Sequence, residues 1–397
     1  MTFRSRFTVL CALSLALLAY PSVAASSPQW SQTLLWKAGT DGYETFRIPG
    51  VVATARGTIL AYAVGRRILK DGDWSDSDIL FRRSTNGGST WGPAYRVAGN
   101  SHGVTDNPVA IADRRRGVVH LLYQHNYEQI FYMRSNNDGK SFTQPAEITS
   151  ALVGLRTEFH WTVVALGPGH AIQLRNGRLL VPVWMAEGVS TGNGRRKHSP
   201  TAITTLYSDD DGKTWRHGDL IAVNSPDLPD PNEMQVVQLA DGNIMANIRS
   251  GGKQMLRAVS ISADGISHWT RPHFDEHLYD PICAAAIVRY GTDPEDGRDL
   301  LLFTNPDSQS LSDRSPLSHG LRRNLTLKMS ENGGGTWPAS RLLHEGSAGY
   351  SDIAVAPDKM IYVIYEGALK PGDKANSVSI LRFNLTWLKS AGHLEQR

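Results

Sequence analysis

Cysteine is nearly absent from this chain: only Cys11 and Cys283 occur in 397 residues. Cys11 lies in the opening segment "MTFRSRFTVLCALSLALLAYPSVAASS", in which Arg4 and Arg6 precede an apolar run from Phe7 to Tyr20 and the small residues Ser22, Val23, Ala24 and Ala25. That order of basic, apolar and small residues reads as a secretory signal spanning residues 1–25, cut near Ala24 or Ala25. Its apolar run of about 14 residues falls short of the roughly 20 that a spanning helix needs. The mature chain is therefore expected to be exported, secreted or periplasmic, with no membrane span after cleavage. Loss of Cys11 leaves Cys283 alone, which excludes an intrachain disulfide and leaves packing to hold the fold.

Charge of one sign is also lacking. The formal charge is +3, and removing Arg4 and Arg6 takes it to +1 (3 − 2). So small an excess excludes nucleic acid and a polybasic membrane contact as partners. Any anion must be recognised locally, by individual arginines. The 13 histidines show no pair at metal-ligand spacing with a third ligand near, so no metal and no cofactor is expected. No long segment keeps a helical period either.

What the chain does have is a repeat. "STNGGSTW" at Ser84, "SNNDGKSF" at Ser135, "SDDDGKTW" at Ser208 and "SENGGGTW" at Ser330 share the form Ser-x-Asp/Asn-x-Gly-x-Thr/Ser-aromatic. A fifth copy, "SADGISHW" at Ser262, has Ile266 where Gly is expected. Successive copies start 51, 73, 54 and 68 residues apart, room for about four strands each. The pattern is turn chemistry, with Asn or Asp capping the turn, Gly supplying positive φ and the aromatic packing between units. Short apolar runs such as "GTILAYAV", "GRLLVPVWM" and "MIYVIYEG" surround it, bounded by turn residues as strands are. Repeated four-stranded antiparallel units closed in a ring predict an all-β fold, a β-propeller. One catalytic or binding domain over residues 26–397 is expected.

The repeat, known as the Asp-box, occurs in propellers of several functions, so chemistry must come from elsewhere. Arg47 stands in the apolar run "YETFRIPGVV", where an unpartnered guanidinium would be costly unless it awaits an anion. At "FRIP" the sequence resembles the bacterial sialidases of glycoside hydrolase family 33, and the resemblance extends over essentially the whole mature chain. It implies a six-bladed propeller with a central site for an acidic sugar.

Residue by residue, the resemblance implies three carboxylate-gripping arginines: Arg47, Arg249 in "ANIRS", and Arg322 in "LRRNLTL", with Arg323 as the alternative. Three guanidiniums suit one carboxylate because each offers charge-assisted bonds in fixed geometry. Tyr350 in "GYSDIAV" matches the nucleophile and Glu233 in "PDPNEMQVV" the base that a phenol of ordinary pKa near 10 requires. Asp73 matches the acid/base, ahead of Asp76 and Asp78, with Asp71 as the alternative because the loop length departs from the common pattern. Arg66 resembles an arginine that contacts a sugar hydroxyl, and Glu366 the carboxylate that orients Arg47. Trp74, Trp161 and Trp184 are candidates for seating an N-acyl group or glycerol tail.

Other features carry little weight. "RRR" at Arg114–Arg116 reads as an exposed turn, and "NLT" at Asn324 and Asn384 as a short motif with many chance matches. The basic loop "GNGRRKH", Gly192–His198, either rims the site or is merely mobile. The resemblance implies a secreted, monomeric exo-α-sialidase acting with retention through a tyrosyl intermediate on sialylated glycoprotein, glycolipid or oligosaccharide. A trans-sialidase or an anhydro-forming enzyme would keep the same residues. From another class, a non-catalytic propeller binding glycans or proteins would need the repeats alone.

Overall fold

Alternating patterns along most of the chain become strands in the computed structural model, which describes residues 1, 27–99, 102–308, 321–370 and 372–390. The signal reading, and Cys11 with it, lies outside the described residues. No helix among the described residues is long and apolar enough to cross a membrane.

The strands form six antiparallel blades around a ring. The first is Thr45–Ala53, Ile59–Arg66, Ser77–Ser84 and Tyr95–Ala98. The second runs from Thr105–Ala112 to Ala146–Glu147, the third from Val163–Leu166 to Arg216–His217, and the fourth from Met234–Gln238 to His273–Tyr279. The fifth comprises Ala286–Thr292, Asp299–Pro306, Arg323–Ser330 and the first half of the 17-residue strand Ala339–Val355. That strand's second half starts the sixth blade, followed by Ile361–Gly367, Ser377–Phe383 and, from the other end of the chain, Trp30–Trp36. The ring thus closes through the ladder between Trp30–Trp36 and Ser377–Phe383, which joins the two ends of the described chain.

Buried apolar side chains collect in six layers, each between neighbouring blades. A strand buried on both faces explains why runs such as residues 59–64 and Leu179–Ala186 are continuously apolar rather than alternating. All five repeats lie at one end of the ring, at the exit of a blade's third strand. In each, a serine Oγ accepts from a glycine amide, for example Gly88 N at 2.9 Å from Ser84, while Asn or Asp caps the turn, as Asn86 Oδ1 does for Thr90 N at 3.0 Å. In the fifth copy Gly265 takes the positive φ one residue early and donates to Ser262 Oγ at 3.0 Å, so Ile266 does not break the turn.

Closure rests on Trp36. It is fully buried, its ring stacks on Phe46 of the first blade at 6.3 Å, and the Arg82 guanidinium lies 5.7 Å above it. Trp36→Ala should therefore cost about 3–5 kcal/mol of stability, read by urea unfolding. A loss below about 1 kcal/mol would mean that the N-terminal strand does not fasten the ring.

Candidate active site

At the end of the ring opposite the repeats, each inner strand begins and each second strand ends, and there the singled-out residues converge. The first inner strand shows how sequence arranges this. Pro49 has no amide to donate and disfavours helical backbone at Ile48. Ile48 instead adopts φ 54°, a left-handed conformation that costs a β-branched residue about 1–3 kcal/mol. The ladder slips between Arg47 and Gly50. Gly50 is required there, because a Cβ would lie 2.1 Å from the Tyr62 ring.

Glu366, at the end of the sixth blade's second strand, holds this conformation. Its Oε1 accepts from Arg47 Nε at 2.7 Å and from Ile48 N at 2.8 Å, and its Oε2 accepts from Tyr350 N at 3.3 Å. Gly349 makes room: a Cβ there would sit 2.1 Å from Glu366 Oε2.

Tyr350 occupies the centre. Its hydroxyl donates to Glu233 Oε1 at 2.5 Å and accepts from Arg249 Nη1 at 3.0 Å. Arg249 also pairs with Glu233 Oε2. The guanidiniums of Arg47 and Arg322 lie 5.1 Å and 5.5 Å from the centre of the Tyr350 ring. Arg322 additionally donates to Ile282 O at 2.5 Å, whereas Arg323 is exposed. Burial, then the Glu233 carboxylate, push the phenol well above its ordinary value against the pull of Arg249, Arg322 and Arg47. The arrangement can do two things: three guanidiniums can receive an anion, and a protonated phenol can pass its proton to an adjoining carboxylate.

Across the site, Arg66 reaches Asp73 Oδ1 at 3.0 Å and the buried Asp106 Oδ2 at 3.1 Å. Asp73 sits in the short 3₁₀ segment Leu69–Trp74, and its side chain is 55% exposed, accessible to a ligand. Partial burial favours its neutral acid, but Arg66, Arg47 and His198 hold the carboxyl below the usual range. Asp71 turns elsewhere, to Arg195 Nη2 at 2.8 Å. Asp76 accepts from Gly103 N at 2.7 Å, and the buried Asp78 binds Tyr43 Oη at 2.7 Å.

Two of the three tryptophans adjoin the site. Trp74, Tyr127, Trp184 and His198 form an aromatic cluster, with His198 5.7 Å, 4.4 Å and 5.3 Å from the other three rings. Trp161 does not join it. That ring is 1% exposed in the layer between the second and third blades, beneath Arg156. Sequence reading missed Asp106, Tyr127 and the fully buried Arg257, and reached His198 only as the end of the basic loop Gly192–His198. Arg257 binds Asp280 at 3.0 Å, Cys283 O at 3.1 Å and Asn247 Oδ1 at 2.8 Å, close beneath Glu233. A charge inside an apolar strand was the available signal for Asp106 in "VTDNPVAIA", as it was for Arg47; nothing in spacing marks the aromatic cluster. Among the described residues no three His, Cys, Asp or Glu side chains gather as metal ligands would.

The family model described as a BNR repeat-like domain matches residues 57–363. A sialidase of Micromonospora viridifaciens is 28% identical over 397 residues, covering 94% of this chain and 56% of that protein. One from Bacteroides fragilis is 27% identical over 367 residues, covering 84% and 62%. The chain thus spans less than two thirds of either relative. Among solved structures, the Hadza microbial sialidase Hz136 superposes with a TM-score of 0.73 at 25% identity, over 89% of this chain and 68% of that one.

Proposed function

The chain belongs to the BNR repeat-like domain family, and from that premise we propose that it is an exo-α-sialidase, hydrolysing terminal α-linked sialic acids with retention of configuration. The observation that carries the reading is the Tyr350 hydroxyl, 2.5 Å from a carboxylate and set among three guanidiniums.

In this reading Arg47, Arg249 and Arg322 bind the sugar carboxylate. The anomeric carbon beside that carboxylate would repel an anionic nucleophile, and a neutral phenol avoids the repulsion. The usual glycosidase carboxylate pair is replaced, as in other sialidases with a tyrosine nucleophile. Because burial keeps the phenol protonated, its proton passes to Glu233 as the oxygen–carbon bond forms. Asp73 protonates the departing aglycone oxygen. A water, deprotonated by Asp73, then attacks the anomeric carbon, and the tyrosyl oxygen leaves with the proton returned by Glu233. Asp73 is favoured over Asp71 because it faces Arg66 within the site, and Arg322 over Arg323 because it faces Tyr350. Export of the chain is part of this reading, supported by the basic, apolar and small residues in order along the opening segment. A transferase or anhydro-forming enzyme would differ only in what attacks the intermediate. A purely binding propeller would have no use for the Tyr350–Glu233 pair.

Incubation with α2,3- and α2,6-linked sialyllactose, followed by NMR, should show the α-anomer of free sialic acid released first. Tyr350→Phe should lower kcat about 10³-fold or more while the fold is retained. Absence of turnover by the parent protein on every sialoside would leave a binding module.

The electrostatics add a pH dependence. Asp73 must be protonated to act as an acid, and in the free protein Arg66, Arg47 and His198 depress its pKa. A bound sugar carboxylate adds negative charge among the arginines and raises it. The basic limb of the kcat profile should accordingly lie at higher pH than that of kcat/KM, since the two report the bound and free states. Coincident limbs, or the reverse order, would contradict the assignment of Asp73.

A further inference from the structure

The basic loop Gly192–His198 belongs to a hairpin of the third blade, Ser190–Gly192 paired with Arg195–Arg196. Its base is bolted down by Arg196, which donates to Thr162 O at 2.8 Å and Asn126 O at 3.2 Å and pairs with Glu128 at 2.7 Å. From this fixed base Arg195 crosses to the first blade and pairs with Asp71 at 2.8 Å, two residues before Asp73. Gly72, between the two aspartates, has φ 58° and ψ −126°, a kink that turns their side chains to different partners.

We infer that Arg195 is a positioning residue: through Asp71 it fixes the segment that carries Asp73, and so sets the efficiency of proton donation to the leaving group. The inference rests on the sialidase reading above. Asp73 is held by Arg66 only while ionised, and proton donation requires the neutral acid, for which that ion pair is weak. At that moment the segment depends on contacts that do not titrate with Asp73. These include Arg195–Asp71, Glu44 Oε2 accepting from Leu69 N at 2.5 Å, Ser75 Oγ accepting from Ile68 N at 3.0 Å, and Trp74 against Tyr127. Of these, the Asp71 contact is the ion pair, and it ties the segment to the hairpin strand Arg195–Arg196. Both partners are half-exposed, at 42% and 26%, so losing the pair should scarcely alter overall stability.

A natural sialoside expels a sugar hydroxyl, a poor leaving group that needs a proton, whereas 4-nitrophenolate departs without one. Arg195→Ala should therefore lower kcat/KM on α2,3-sialyllactose roughly five- to ten-fold but on the 4-nitrophenyl sialoside less than about two-fold. Asp71→Asn should reproduce this split, the double variant should add little, and Arg195→Lys should restore part of the loss. Equal losses on both substrates, or none on either, would overturn the inference. Independently of activity, hydrogen exchange of residues 68–75 should quicken in Arg195→Ala with the melting temperature unchanged. Unchanged exchange would refute the clamp even if the sialidase reading stands, and quickened exchange in a protein inactive on all sialosides would uphold the clamp while that reading fails.

Discussion

One buried carboxylate, Glu366, sits where the last blade meets the first, and the geometry of the site depends on it. It accepts from Arg47, from the strained amide of Ile48 and from the amide of Tyr350, so a single side chain orients an arginine, supports a left-handed isoleucine and fixes the backbone of the central tyrosine. Truncating such a group would leave a cation and two amides without their acceptor, a cost of several interactions at once. The requirement reaches back into the sequence as Gly349, which alone lets the carboxylate lie against the Tyr350 backbone.

Around this anchor the charges are deliberately unbalanced. Glu366 answers Arg47 and Glu233 answers Arg249, whereas among the described residues the Arg322 guanidinium meets a carbonyl oxygen and the Tyr350 ring. Arg47 donates to Glu366 through Nε, and among the described residues its terminal nitrogens form no hydrogen bond to a carboxylate. The surplus of positive charge next to a protonated phenol is what an incoming carboxylate would neutralise. The same surplus lowers Asp73 and Tyr350 relative to burial alone, which couples anion binding to the protonation of both groups.

Much of this was legible in the sequence because each feature violates a local expectation. Arg47 and Arg249 interrupt apolar runs, the repeats place Gly at fixed offsets, and continuous apolar strands signal burial on both faces. Contacts that close the ring were not legible. Trp36 finds Phe46 next to the chain's start, but the pairing of Trp30–Trp36 with Ser377–Phe383 spans nearly the whole chain, and no periodicity announces it. The strand Ala339–Val355 is likewise shared by two blades, its halves pairing with different partners that no local pattern announces. The two "NLT" motifs, given little weight in the sequence, have structural roles: Asn324 is fully buried and accepts from Gly346 N, and Asn384 caps the helix Leu385–Lys389. Arg195 and Asp71 are 124 residues apart, and nothing in their neighbourhoods pairs them.

The proposed reaction turns on attack by the Tyr350 oxygen on the anomeric carbon. A 3-fluorosialosyl fluoride loses its anomeric fluoride readily as the first bond forms, but the adduct is released slowly, since the ring fluorine destabilises the positively charged transition state and the tyrosyl oxygen is a poorer leaving group than fluoride. Peptide mass mapping after brief treatment should find one sialosyl adduct, on Tyr350, and a markedly slower adduct in Glu233→Gln. An adduct on Asp73 or Glu233, or none in a protein that still hydrolyses sialosides, would contradict the account.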